Sequence, residues 1–425
     1  MFQGPPRERM WVSWLMAAAW TGCILSAIPF ARAMQGWVGA HWGTAILRWF
    51  SMAVILLAAT FAAVYLWRRL RLPPWRNIFW LAATVGVFMY LCMARMKTPS
   101  EALHFLEYGF LGMLVFRALS HRLHDRLIYF CAILACLLVG TCDEILQWLT
   151  PGRYWDIRDI GHNGTAAALA QVALAGGLRP PFIRPGVSPL SVRWFCALAA
   201  LQLLLLGFCF SNTPVAVEWY TEKLPRLEFL RENDSPMSEY GFRHDDPDIG
   251  RFYSRFGKDD LLWIDSRRGQ DAGTVVGYYL TEGSYSNFLR RYTPAVDAFV
   301  HEAMVHAYRR DHYYAVLWKY KGDDDLYRRH ATVAYRENKI LEKYFPQTLR
   351  ASGQAWPAEQ AAALVPFLRV DRRYKSEVSR HLITHVRERD LWRLIMVFLA
   401  LDLAFLIWRG RSRDPEGRPH DPVPA

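Results

Sequence analysis

The sequence predicts an all-α polytopic membrane protein of about eight transmembrane helices, with a mainly α-helical extracytoplasmic domain between the last two spans. Three observations lead there. Apolar runs near the ~20 residues that a helix needs to cross the hydrocarbon recur along the chain. Hydrophobic residues make up 52% and charged residues 21%, and the mean hydropathy of +0.01 suits apolar spans averaged with a polar domain. Arginines gather in the short loops between the runs, where topogenic charge sits.

Residues 10–30 form the first run, after Arg7 and Arg9. The Ala31-Arg32-Ala33 triplet mimics a signal-peptidase site, but the run exceeds the ~7–15 residues of a signal h-region, so an uncleaved span is expected. Further spans are expected at 45–67, 77–95, 100–118, 127–149, 159–178, 190–210 and 390–408. The sixth is rich in alanine and glycine, which suits close packing against neighbouring helices. The resulting organisation is a seven-helix bundle over 1–210, a polar domain over 211–389, a final span over 390–408 and a disordered tail over 409–425. Loops 68–76, 117–126 and 179–189 and the tail each carry at least two arginines, whereas 31–44 carries only Arg32. That asymmetry places both termini in the cytoplasm and 211–389 outside it.

The net charge of +12 is thus carried in good part by loop arginines. No nucleic-acid motif accompanies it, and no nucleic-acid partner is expected. All seven cysteines lie in apolar segments, with none between 211 and 389 and no CxxC pair. Zinc-ribbon and thioredoxin-like chemistry are excluded, and the polar domain holds together without disulfides.

Within 211–389, Asp234-Ser235-Pro236 and the stretch Arg243 to Pro247 read as turns and loops. Residues 272–280 fit either a strand or the start of a helix. Thr293-Pro294 opens a helix expected to run to about Tyr314. Others are expected over 324–344, with the acidic run from Asp323 to Asp325 as its cap, from Pro357 onward, and over 371–389 as a charged amphipathic segment. His301-Glu302-Ala303-Met304-Val305-His306 resembles a zincin motif but is one residue too long. Histidines at i, i+5 stand about 140° apart on a helix, so they cannot share a metal as HExxH does. The pairs Asp297 with His301 and Glu302 with His306 read as solvated helix-face contacts. Tyr278, Tyr279, Tyr285, Tyr313 and Tyr314 can make a glycan or peptide surface, but core packing is the favoured reading.

Two polar clusters interrupt the spans, one from Lys97 to Gly112 and one from Asp143 to Gly164. Lys97, Glu101, His104 and Tyr108 fall at i, i+4, i+7 and i+11, one stripe of a helix, with Glu107 beside His104. Asp143 and Gln147, and Glu144 and Gln147, share the end of the fifth span. Asp156, Asp159 and Asn163 fall at i, i+3 and i+7 at the start of the sixth, after a turn at Pro151-Gly152-Arg153. Ionisable groups in spans are costly and mark functional sites by default. His104 can act as a general acid or base with a carboxylate setting its tautomer. Glu144, Asp156 and Asp159 are its candidate catalytic partners. Lys97, Glu101, Tyr108, Gln147, Arg153 and Asn163 are candidate binding residues, with Arg153 able to grip a phosphate or carboxylate by its fork. Acids and bases at helix ends also neutralise each other simply to fix packing, and that is the bland alternative. A metal is not expected, because Arg153 and Lys97 compete for the acids, and no cofactor is implied.

These clusters resemble the VanZ-like family, on His104, Phe105, Tyr108, Leu111 and Gly112 and then Glu144, Gln147, Pro151, Gly152, Arg153, Asp156, Asp159 and Asn163. The family's glycine three positions after the asparagine is Ala166 here, with Gly164 adjacent to Asn163 instead. The resemblance covers about 45–178 and implies a bacterial membrane protein whose founding relatives are linked to resistance to the glycopeptide teicoplanin. The expected function is binding or processing of a cell-envelope component at the outer leaflet, with membrane lipids or a lipid-linked envelope precursor as partners. The alternative is a non-enzymatic scaffold or receptor whose 211–389 domain recruits an envelope protein. A transporter is disfavoured, since no inverted repeat is visible.

Overall fold

The computed structural model describes residues 6–69, 75–96, 101–233, 236–370 and 373–411. It forms two compact units, Met1–Gly207 with Arg393–Ala425, and Phe208–Trp392. The architecture is all-α apart from one two-stranded hairpin.

The first unit holds α1 (Met10–Ala27), α2 (Ala31–Trp42), α3 (Ala45–Arg69), α4 (Trp75–Tyr90), α5 (Glu101–Leu119), α6 (Leu127–Trp148) and α7 (Ile157–Val172). The long helices α8 (Pro189–Ser211) and α16 (Glu388–Arg411) each cross a unit boundary. Among the described residues, α1, α3, α4 with its π-helical continuation Leu91–Arg95, α5, α6, α8 and α16 are long and apolar enough to cross a membrane. The remaining expected span is α7, which runs 16 residues before widening into a π-helical end at Ala173–Leu178. The loop expected at 31–44 is instead the helix α2, whose alanine, methionine and glutamine favour the helix although it is too short to span. Gly43, at φ 77°, ends it in a backbone conformation that costs glycine nothing.

Helix α1 lies antiparallel on α5. Glu8, just before α1, takes a two-pronged ion pair from Arg117 at the far end of α5, both bonds 2.5 Å. Near the other end, Trp20 Nε1 donates to the Glu107 carbonyl at 3.0 Å. Helices α6 and α7 pack closely because Gly164 has no side chain. A Cβ there would meet Leu137 Cδ2 at 2.5 Å, which accounts for the glycine adjacent to Asn163.

The second unit holds α9 (Pro214–Lys223), the hairpin β1 (Phe242–Asp246) and β2 (Gly250–Ser254), α10 (Lys258–Thr281), α11 (Tyr285–Arg291), α12 (Pro294–Ala315), α13 (Asp324–Tyr344), α14 (Pro346–Ala351) and α15 (Ala358–Ala362). The strands pair antiparallel with Phe242 opposite Ser254 and Asp246 opposite Gly250. Phe252, Leu261, Phe288, Phe299, Met304, Ile340 and Phe345 form the buried core. Both helix starts read from sequence hold, but only one through its side chain. Helix α12 begins at Pro294 after Thr293, whose hydroxyl donates to the Arg231 carbonyl and caps nothing, whereas the Asp323 carboxylate accepts the Leu326 amide at 3.0 Å to start α13.

Four expectations in this unit are corrected. Residues 272–280 lie inside α10, where Gly273 faces α14 so closely that a Cβ would stand 2.5 Å from the Thr348 carbonyl. The stretch read as turn and loop from Arg243 to Pro247 is largely β1, held by its ladder to β2. The described part of 371–389 is not an amphipathic helix before Glu388. It is an extended and turning segment that bridges Lys375 to Arg251 and Ile383 to Tyr240. Sheet-edge pairing supplies the backbone partners that a helix would otherwise provide.

The fourth correction concerns α12, where His301, Glu302 and His306 are buried rather than solvated. His306 Nδ1 meets Glu337 Oε2 at 2.6 Å and Glu302 Oε2 accepts the Arg255 amide at 3.2 Å, while Asp297 pairs with Arg268. Cross-helix partners outcompete the i, i+4 contacts. Among the tyrosines, Tyr279 and Tyr285 pack against the core as expected, but Tyr278 and Tyr314 are exposed.

Candidate functional site

The polar clusters meet at one end of the first unit, where the N-terminal turns of α5 and α7 gather beside the C-terminal turns of α6. Local sequence builds this corner. Helix α6 ends at Trp148, and the chain reverses through Pro151-Gly152, with Gly152 at φ 74° where a side chain would be strained. Asp156 then caps α7, its carboxylate accepting the Arg158 amide at 2.9 Å and the Arg158 side chain at 2.5 Å.

Glu144 ties the corner to α6. Its two oxygens accept from Gln147 Nε2 at 2.8 Å and from the Asp156 amide at 2.8 Å. Arg153 donates to Gln147 Oε1. Tyr108 on α5 donates to Asp143 on α6 at 3.1 Å, fully inside the bundle. His104 Nδ1 stands 3.4 Å from Glu107 Oε2, with side chains 24% and 32% exposed, so this pair reaches the surface of the unit. On α7, His162 Nδ1 lies 3.7 Å from Asp159 and 3.9 Å from Glu101 of α5. Its ring stands 6.1 Å from that of Phe105.

Nine of the ten site residues read from sequence fall within this corner or its supports; Lys97 lies outside the described residues. Glu101, His104 and Tyr108 share α5, though Tyr108 turns to α6 while Glu101 faces α7. Asp156 is occupied by capping and by Arg158. Asn163 is wholly buried against α6, where a Cβ on Gly140 would stand 3.0 Å from its Nδ2. Neither of its amide atoms has a hydrogen-bond partner, and the buried Nδ1 atoms of His104 and His162 have none within hydrogen-bonding geometry. Buried polar atoms are normally satisfied, so such a concentration marks room for a bound polar group or water.

Sequence reasoning passed over His162 as a site residue. Its signal was available: it lies three residues after Asp159, on the same helical face. Among the described residues the corner holds the carboxylates Glu101, Glu107, Asp143, Glu144, Asp156 and Asp159 against the guanidiniums Arg153 and Arg158. No group of three or more histidines, cysteines and acids among the described residues is arranged to hold a metal ion. The arrangement can exchange protons through two imidazoles flanked by acids, and it can accept hydrogen bonds from a ligand rich in donors.

The VanZ/LLP1 family model matches residues 13–175, which extends the resemblance back from 45 to include α2 and most of α1. No curated protein and no solved structure matches the chain. The stretch from α1 through α7, which carries the polar corner, is thus a VanZ-like region, similar to the VanZ/LLP1 family, in a polytopic membrane protein.

Proposed function

We propose that the VanZ-like region binds or processes a cell-envelope component at the outer leaflet of a bacterial inner membrane and so affects glycopeptide susceptibility. The observation that carries this reading is the polar set at one end of the bundle, where Asn163 has neither amide atom hydrogen-bonded and His104 and His162 hold acids only at 3.4 Å and beyond. In this reading His104 moves protons with Glu107 beside it, and Asp159 and Glu101 orient His162. Glu144 and Gln147 hold Arg153 at the rim. The six carboxylates favour a head group with amine or hydroxyl donors. The loop arginines support the orientation, with both termini cytoplasmic and 211–389 extracytoplasmic.

His104→Ala and His162→Ala are expected to remove the chain's effect on glycopeptide susceptibility, measured as inhibitory concentration, at unchanged protein abundance. Loss of abundance in both would mean that the corner only holds the bundle together.

A second reading, recruitment of an envelope partner by the second unit, is favoured by a surface pocket of about 290 Å³ lined by Tyr308, Arg309, His312, Tyr313 and Arg380. His312→Ala combined with Arg380→Ala would then abolish the effect while leaving the corner intact.

A further inference from the structure

The first unit contains a cavity of about 510 Å³ walled by α1, α3, α4, α5, α7 and the π-helical end of α7. It is half open, a groove rather than a closed void, with Ala58 and Phe110 exposed along it. Water is a poor occupant. A buried water needs two to four polar partners, and the lining side chains offer Thr84 and Trp20, which already donate to the Trp80 carbonyl at 2.8 Å and the Glu107 carbonyl at 3.0 Å. The space exists because its walls are cut back: Ala58, Ala59 and Ala62 of α3 line it together with Gly109, Ala166 and Ala170.

The cavity adjoins the polar corner at two places. Phe105 lines it with its ring 6.1 Å from that of His162, and Trp20 lines it while donating to the Glu107 carbonyl. Phe105 follows His104 directly, and Ala166 lies one helical turn beyond His162. An apolar seat therefore runs up to unpartnered, buried polar atoms, which is the shape of an amphiphile.

We propose that the cavity seats one hydrocarbon chain of a lipid drawn from the surrounding bilayer, with the lipid's polar head against His104 and His162. This rests on the binding role proposed for the corner and narrows its ligand: a chain-bearing lipid, not a soluble peptide end or a free glycan. Helices that span a membrane place the seat in contact with such chains, whereas a water-soluble ligand would gain nothing from it.

The test uses the full chain, purified in detergent and exposed to vesicles of phosphatidylethanolamine and phosphatidylglycerol, with retained lipid counted by native mass spectrometry. The unsubstituted protein is expected to keep one lipid through delipidation. Ala58→Phe and Ala170→Phe, which fill the seat, are expected to lower that occupancy at least tenfold, while Leu57→Phe on the exposed face of α3 leaves it unchanged. Binding of lysophosphatidylethanolamine to the unsubstituted protein should tighten at least tenfold from an 8-carbon to a 16-carbon chain, and this gain should vanish in the filled variants. Equal occupancy in all variants, or no dependence on chain length, overturns the seat. If the filled variants keep both lipid and susceptibility effect while His104→Ala loses the effect, the corner's role stands and the seat falls. If the filled variants lose lipid while His104→Ala and His162→Ala change neither lipid nor susceptibility, the seat stands without its head group and the reading of the corner falls.

Discussion

The two units bury ionisable groups in opposite ways. In the second unit each buried carboxylate is an acceptor with its donors in place. Glu337 takes hydrogen bonds from His306 at 2.6 Å, Arg309 at 3.0 Å, Ser376 at 2.7 Å and Tyr374 at 2.5 Å. Asp265 caps α14, accepting the Gln347 amide at 2.7 Å, the Thr348 amide at 3.0 Å and the Thr348 hydroxyl at 2.7 Å. Unpartnered atoms do occur there, on Ser238, Arg255, His301, Glu302, His306 and Arg336, but Arg255, Glu302, His306 and Arg336 are fastened through another atom, which leaves His301 as the exception among the unit's buried ionisable groups. In the first unit Asn163 is fastened through neither amide atom, and His104 and His162 hold acids only at 3.4 Å and beyond. Saturated networks specify a structure. Unsaturated ones leave room for a bound polar group or water.

The comparison breaks first at Glu337. Its carboxylate joins α12, α13 and the segment around Ser376, and the His306 and Arg309 charges hold it below its ordinary range despite burial. Removing one member of a buried network leaves the others uncompensated, at about 3–5 kcal/mol. Glu337→Ala in the full chain should therefore open the second unit to limited proteolysis and lower abundance. A variant that resists protease like the parent would show that this network is dispensable and that the contrast between the units is false.

Much of this architecture is legible in sequence because its causes are local. Pro294 at the first helical position and the Asp323 cap mark the starts of α12 and α13, since both act within one helical turn. The stripe of Glu101 and His104 follows from helical period alone. What is not legible depends on partners distant in the chain. Residues 373–387 carry a helix-like charge pattern, yet pairing with Arg251 and Tyr240 draws them extended. Glu302 and His306 read as solvated until Arg255 and Glu337 cover them. The cavity beside Phe105 arises from alanines of α3 and α7, whose meeting no spacing rule announces.

The second unit's buried ionisable groups also set its response to acid. Burial, then the Arg255 charge, pushes the His301 imidazole down to about 3. Burial opposes ionisation of Glu239 and Asp246, but His381 and Arg255 hold the first, and Lys343 and Tyr344 the second, down to about 2. All three groups refuse protons that the unfolded chain accepts. Stability is complete above about pH 6.5, the ordinary histidine value, and falls first through His301, then below about 4.5 through the two acids. A tenfold difference in proton affinity between the folded and unfolded chain corresponds to about 1.4 kcal/mol. Thermal melts of the unit's tryptophans between pH 7 and 3 should show Tm dropping throughout, and His301→Leu should flatten the part between pH 6.5 and 4.5. A parent profile flat over that interval would remove His301 from the account.

The smallest effect carries the opposite sign and sharpens the comparison most. Asn163 is buried between α7 and α6 with both amide atoms unpartnered, so its polarity costs stability unless a ligand meets it. Asn163→Leu keeps roughly the same volume against Gly140 and removes that cost, worth about 1 kcal/mol inside a bundle. The variant should melt higher than the parent in detergent and yet lose the effect on glycopeptide susceptibility. An Asn163→Leu protein that melts lower would show the amide to be a structural bond, as Asp265 is in the second unit. Higher melting together with lost function is the signature of a group held in place for something outside the chain.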